Sequence, residues 1–126
     1  MKNQTKINHI ALQYKDKEKA KIFFQDILEL SLIKQFKLTK KLSKQIFGKS
    51  EKLEIIVYAN DHAKFEVFIT EKKQESIYNH ICIEIDDKED FIIRCKKYEL
   101  NPFFVEKSEK KLLFLRDFAD NLYEIK

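Results

Sequence analysis

The chain has 126 residues, 44% hydrophobic and 37% charged, with a formal net charge of +4. That length suits one compact domain, or two very small packed modules, and buries roughly two-thirds of its unfolded surface without disulfides. One Gly, one Pro and two Cys exclude glycine-rich phosphate loops, thiolate zinc cages and disulfide frameworks, and the longest apolar run, Ile55 to Ala59, is far short of the roughly 20 residues that span a bilayer. The polar start, Met1 to Lys6, lacks a secretory apolar stretch and predicts a cytoplasmic protein. Residues 1–70 carry 14 basic and 8 acidic side chains, and residues 71–126 carry 11 and 13. A solvated lysine surface accounts for this asymmetry. The best basic cluster, Lys40, Lys41 and Lys44, lacks the aromatic-and-glycine pattern of RNA-binding modules, so neither nucleic acid nor membrane is expected as a partner.

Taken in chain order, Ile7 to Tyr14 reads as a strand with Ile10 and Leu12 on one face and His9, Ala11 and Gln13 on the other. Asp16 is an N-cap, and Ala20, Phe23, Phe24, Ile27 and Leu28 then recur at helical spacing. Leu32 to Leu38 predicts a strand. Thr39 caps a short helix with Leu42 and Ile46 facing inward, which stops at Gly48. Leu53 to Ala59 and Ala63 to Thr70 form a hairpin around Asn60-Asp61, with His62 as a turn residue. The same order then begins again. Asn79 to Asp86 alternates, with Ile81, Ile83 and Ile85 opposite His80, Cys82 and Glu84, and Asp87 opens a helix carrying Phe91, Ile92, Cys95 and Tyr98. Strands at Pro102 to Glu106, Lys111 to Arg116 and Leu122 to Ile125 complete the chain.

The fold class expected is therefore α+β, built from two βαβββ modules, one over about residues 5–71 and the other over about 77–126, within one domain spanning 1–126. Residues repeat along with elements. Asn8-His9-Ile10 matches Asn79-His80-Ile81 in the first strands, 71 positions on, and Phe65-Glu66-Val67 matches Tyr123-Glu124-Ile125 in the last strands, 58 positions on. Each half thus offers one imidazole and one carboxylate, a donor set suited to divalent first-row metals that leaves coordination positions open. The plainer alternative makes the two histidines hydrogen-bonded strand residues and the two glutamates solvent-facing. By strand alternation Phe68 and Thr70 share the Glu66 face, Cys82 and Glu84 the His80 face, and Leu122 the Glu124 face, so these five are candidate pocket walls.

The doubled order, Asn8-His9-Ile10-Ala11-Leu12, Phe23-Phe24-Gln25-Asp26-Ile27-Leu28, Phe65-Glu66-Val67-Phe68, the stretch from Asn79 to Asp87 and the stretch from Arg116 to Ile125 resemble the vicinal oxygen chelate superfamily over nearly the whole chain. The resemblance implies paired modules curled into a cup-shaped mixed β-sheet around a divalent metal held by His9, Glu66, His80 and Glu124. Four ligands are similar to glyoxalase I and to methylmalonyl-CoA epimerase. Ring-cleaving dioxygenases and fosfomycin-modifying members need only three, and antibiotic-sequestering members none. The resemblance thus implies a lyase or isomerase that moves a proton α to a carbonyl of a small metal-chelating substrate, with Glu124 as base and Glu66 as its symmetry mate. Nickel, zinc, cobalt or manganese would serve, or iron in a dioxygenase. Epimerase-like or oxygenase chemistry and a metal-free ligand-binding module stand as alternatives. A homodimer is expected, since relatives complete such sites within one chain or between two. Two turns depart from the family pattern: Leu28 is followed by Glu29 where relatives have Gly, and Asp117-Phe118-Ala119-Asp120-Asn121 replaces Asp-Pro-x-Gly-Asn. That leaves open the shape of the second turn and the register of Glu124.

Overall fold

The structure is a computed structural model that describes residues 6–71 and 78–126. The first module runs β1 (Ile10–Tyr14), α1 (Lys17–Lys21), β2 (Ser31–Leu38), α2 (Lys40–Phe47), β3 (Leu53–Ala59) and β4 (Lys64–Ile69). The second runs β5 (His80–Ile83), α3 (Lys88–Lys97), β6 (Phe103–Lys107), β7 (Lys110–Arg116) and β8 (Leu122–Ile125). Each module is one four-stranded mixed sheet, in the order β1-β4-β3-β2 or β5-β8-β7-β6. First and last strands pair in parallel and the other neighbours antiparallel. The helix between the first two strands supplies the crossover that such a parallel pair requires. Among the described residues no helix is long and apolar enough to cross a membrane.

The local signals act where the residues place them. Asp16 accepts from the backbone N–H groups of Glu18 and Lys19, Thr39 from Leu42, and Asp87 from Asp90, so each helix start has its free donors satisfied. The first helix continues beyond Lys21 as a π-helical segment over Ile22–Ile27, which buries Phe23, Phe24 and Ile27 completely. Phe24 stacks on Tyr58 at 5.5 Å and lies 5.3 Å from Phe65, while Phe23 reaches Tyr123 of the second module at 5.1 Å. One aromatic core therefore joins both sheets, with Phe91, Cys95 and Leu115 on the far side.

Helix α2 departs from its expected orientation. Leu42 and Ile46 do not face inward: they are 45% and 61% exposed, and the fully buried position is Ser43. The Ser43 hydroxyl donates to the Lys49 carbonyl at 2.6 Å, so a polar contact with the following loop, rather than apolar burial, fixes the helix rotation. Strands β1 and β5 are also shorter than the alternation predicts, beginning at Ile10 and ending at Ile83.

With a single glycine, most left-handed positions fall to other residues. Gly48 caps α2 at φ 76°, while Glu29, Glu99, Ser108 and Asp120 adopt φ between 56° and 65°. Glu29 and Asp120 are the two positions where the family resemblance leads one to expect glycine, and there the backbone keeps a left-handed turn conformation and the side chains bear the strain. Glu99 closes α3: its N–H donates to the Lys96 carbonyl at 3.0 Å, and Leu100 N–H reaches back to Cys95 at 2.9 Å, the Schellman pattern that favours glycine. We expect Glu99→Gly to raise the unfolding free energy by roughly 0.5–1 kcal/mol in urea titration. A lower midpoint would contradict the strain at this position.

Candidate functional site

Pairing register decides which side chains meet. Ala11 stands opposite Glu66 across the β1/β4 pair, and Cys82 opposite Glu124 across β5/β8. In both modules the histidine lies two residues before the residue opposite the glutamate, hence on the same sheet face and one diagonal step away. The turn before β8 therefore delivers Glu124 in the same register as Glu66, despite its missing Pro and Gly.

In the first module the pair is in contact: His9 Nε2 lies 3.3 Å from Glu66 Oε1, with side chains 38% and 21% exposed. His9 Nδ1 is 3.1 Å from Asn8 Oδ1. Nε2 is therefore the ring nitrogen turned toward the carboxylate, and an imidazole and a carboxylate side by side are donors of the kind a divalent metal takes. In the second module His80 Nδ1 donates to the Tyr78 carbonyl at 3.0 Å, a contact that does not use its Nε2. This is the outer hydrogen bonding that orients metal-ligating histidines. Glu124 is mostly buried and lies 3.8 Å from Lys126 Nζ.

The donor chemistry fits a divalent metal, but among the four residues only His9 and Glu66 are brought into contact within one chain. Among the described residues no three His, Cys, Asp or Glu side chains are placed to hold one ion. His9 and Glu66 come together, and His80 and Glu124 do not join them. His80 opens instead onto a cleft of about 780 Å³ whose walls include Phe68, Thr70 and Leu122. Glu124 borders a second groove of about 690 Å³, with Lys107, Lys110 and Lys126. Of the expected wall residues, Cys82 and Glu84 are exposed and border neither. Gln13, Asn79 and Asn121 line the first cleft as well. Gln13 and Asn79 were legible, one by alternation on the His9 face and the other within the repeated Asn-His-Ile. Lys49, also in the wall, follows Gly48 in a loop that carries no sequence signal.

Burial pushes the Cys95 thiol up to about 12, and burial also raises the phenol of Tyr58. Cys82 is exposed. At about pH 8 iodoacetamide is therefore expected to alkylate Cys82 alone in the native metal-free chain and both thiols after denaturation. Comparable native reactivity of Cys95 would contradict the packing described.

A sequence model of the family described as "Glyoxalase/Bleomycin resistance protein/Dioxygenase superfamily" matches residues 6–110. No protein of curated function is detectably similar in sequence. Among solved structures, a glyoxalase family protein from Bacillus cereus superposes with a TM-score of 0.76 at 15% identity, covering 98% of this chain and 94% of the other. The fosfomycin resistance protein FosX from Listeria monocytogenes gives 0.71 at 19% identity, covering 98% and 93%. A mutant of that FosX, complexed with Mn(II) and 1S,2S-dihydroxypropylphosphonic acid, gives 0.72 at 19% identity, covering 98% and 92%. At these identities the likeness is one of fold.

Proposed function

The chain belongs to the glyoxalase/bleomycin resistance protein/dioxygenase superfamily, and from that premise we propose that it is a divalent-metal-dependent enzyme that moves a proton α to a carbonyl of a small chelating substrate, in the manner of glyoxalase I. The observation that carries this reading is the His9–Glu66 contact, in which Nδ1 is already satisfied and Nε2 faces a carboxylate at 3.3 Å. His9, Glu66, His80 and Glu124 would hold the ion. When bound, it supplies Lewis-acid stabilisation of the charge that develops on a substrate oxygen.

The chain's own residues do the rest. Glu124, mostly buried beside Lys126, takes the proton, and Glu66 returns it from the symmetry-related side; general acid–base transfer of this kind contributes roughly 10²- to 10⁴-fold. Phe68 and Leu122 present apolar wall to the substrate, and Thr70 a hydroxyl. The site is completed in a cytoplasmic homodimer, with His9 and Glu66 from one copy and His80 and Glu124 from the other; the His9–Glu66 contact, which His80 and Glu124 of the same chain do not join, supports this arrangement.

A second reading is favoured by the FosX neighbours, one of them crystallised with Mn(II) and a dihydroxypropylphosphonic acid. On it, His9, His80 and Glu124 hold the metal, Glu66 is left as a base, and the substrate is a small phosphonate.

The test is calorimetric titration with Mn(II), Ni(II), Zn(II) and Co(II), followed by assays on methylglyoxal hemithioacetal, methylmalonyl-CoA and fosfomycin. His9→Ala combined with His80→Ala is expected to weaken metal binding by at least about 100-fold, and Glu124→Gln to lower kcat by roughly 10²- to 10⁴-fold with the metal still bound. Unchanged metal affinity in the double variant would remove the basis of the proposal. Thermal stabilisation by a small ligand without turnover would instead support a metal-free binding module.

A further inference from the structure

Away from the His–Glu pairs, one carboxylate is built into the core. Asp117, which follows β7, is only 4% exposed. Its Oδ1 accepts the backbone N–H groups of Ala119 and Asn121, each at 2.9 Å, and its Oδ2 accepts Asn121 Nδ2 at 3.0 Å and the Tyr123 hydroxyl at 2.8 Å. The backbone closes the same turn: Asp117 N–H donates to Asn121 at 3.0 Å, and Asp120 N–H to Asp117 at 3.1 Å. The Arg116 guanidinium donates to the Asp120 carbonyl at 3.1 Å. Burial raises the Asp117 carboxyl above its ordinary range, against the pull of these hydrogen bonds.

The turn also meets the first module. Lys19 Nζ lies 4.8 Å from the centre of the Phe118 ring. The Tyr14 phenol, at the end of β1, faces the same turn and is raised by burial first and then by the Asp117 charge. The corresponding turn of the first module uses a neutral side chain: Asn60 Oδ1 accepts from His62 N–H at 2.8 Å and Ala63 N–H at 2.7 Å, and Asn60 N–H donates to the Ala63 carbonyl. That turn closes over four residues and the Asp117 turn over five, so the longer one needs more donors gathered on one point.

We propose that Asp117 is a positioning residue for the candidate site: by gathering four donors from Ala119, Asn121 and Tyr123 it fixes where β8 begins and so holds Glu124 opposite Cys82, one diagonal step from His80. The proposal rests on the reading of Glu124 as a site residue. Strand periodicity gives it force. A one-residue slip of β8 would turn Glu124 toward the core and Tyr123 outward, and the buried Tyr123 hydroxyl is one of the four donors that Asp117 holds. Asn at position 117 has nearly the same shape, but its NH₂ group would face a donor in place of one carboxylate oxygen.

The experiment compares full-length Asp117→Asn, Tyr123→Phe and Cys95→Ala with wild type, by native-state amide hydrogen exchange in β8 relative to β3 and by Mn(II) affinity. Asp117→Asn is expected to lower β8 protection and to weaken Mn(II) binding, each by about tenfold or more, as loss of outer-sphere support does. Tyr123→Phe removes one of the four hydrogen bonds and is expected to shift both in the same direction by a smaller factor, which keeps the proposal testable if Asp117→Asn does not fold. Cys95→Ala removes a buried group of the same core, carried by α3 rather than by the turn, and is expected to leave both within about twofold of wild type. Folded Asp117→Asn or Tyr123→Phe protein with a lower melting temperature, but with wild-type β8 protection and Mn(II) affinity, would overturn the positioning role. If wild-type protein binds no Mn(II), the metal reading fails, and β8 protection alone decides whether Asp117 sets the strand.

Discussion

A parallel pair between the first and last strand of a module fixes, residue by residue, what stands beside what, and the rest of this molecule depends on that pairing having the same register twice. Ala11 opposite Glu66 and Cys82 opposite Glu124 place each glutamate on the sheet face of its own module's histidine. The opposite faces bury Phe65, Val67, Tyr123 and Ile125. Each strand is therefore locked by its core side, because a slip of one residue would exchange a buried aromatic for a carboxylate. The chemistry on the open face thus inherits its geometry from packing on the closed one.

The closed face belongs to both modules at once. Phe23, carried by the π-helical continuation of α1, meets Tyr123 of β8, and Arg94 of α3 donates from Nε to the Ile27 carbonyl at 3.0 Å while pairing with Glu29. Glu29 is one of the strained left-handed residues, so a position that bears backbone strain also carries an ion pair between the modules. A chain with one glycine has given its turns to side chains that also bind something: Glu29 to Arg94, and Asn60 and Asp117 to their own backbones.

Much of this was legible in the sequence because it rests on local chemistry. Asp16, Thr39 and Asp87 cap helices wherever a donor-rich helix start follows them, and the period-two strands with Asn60-Asp61 between them leave little choice but a hairpin. The repeated Asn-His-Ile and aromatic-Glu-aliphatic segments gave the matching register of His9 with Glu66 and of His80 with Glu124, since strand order carries such a repeat into space. What the sequence did not carry was anything settled by a distant partner. Leu42 and Ile46 have the spacing of a buried stripe, yet the Lys49 carbonyl takes the Ser43 hydroxyl and turns them outward. The turn before β8 looked altered by its lost Pro and Gly, and only the buried Asp117 carboxylate, with Asp120 in a left-handed conformation, shows why its register survives. Nor does strand alternation say that, of the four, His9 and Glu66 touch within one chain while His80 and Glu124 open onto different grooves.

The central claim is that these two pairs, set in matching register, are the two halves of one metal site. Crystals grown with Mn(II) and measured for anomalous scattering test it most directly. The account predicts a single strong peak per site bonded to a histidine and a glutamate from each kind of module, with the two halves coming from different copies of the chain. A peak elsewhere, or His9, Glu66, His80 and Glu124 remaining apart throughout the assembly, would contradict it.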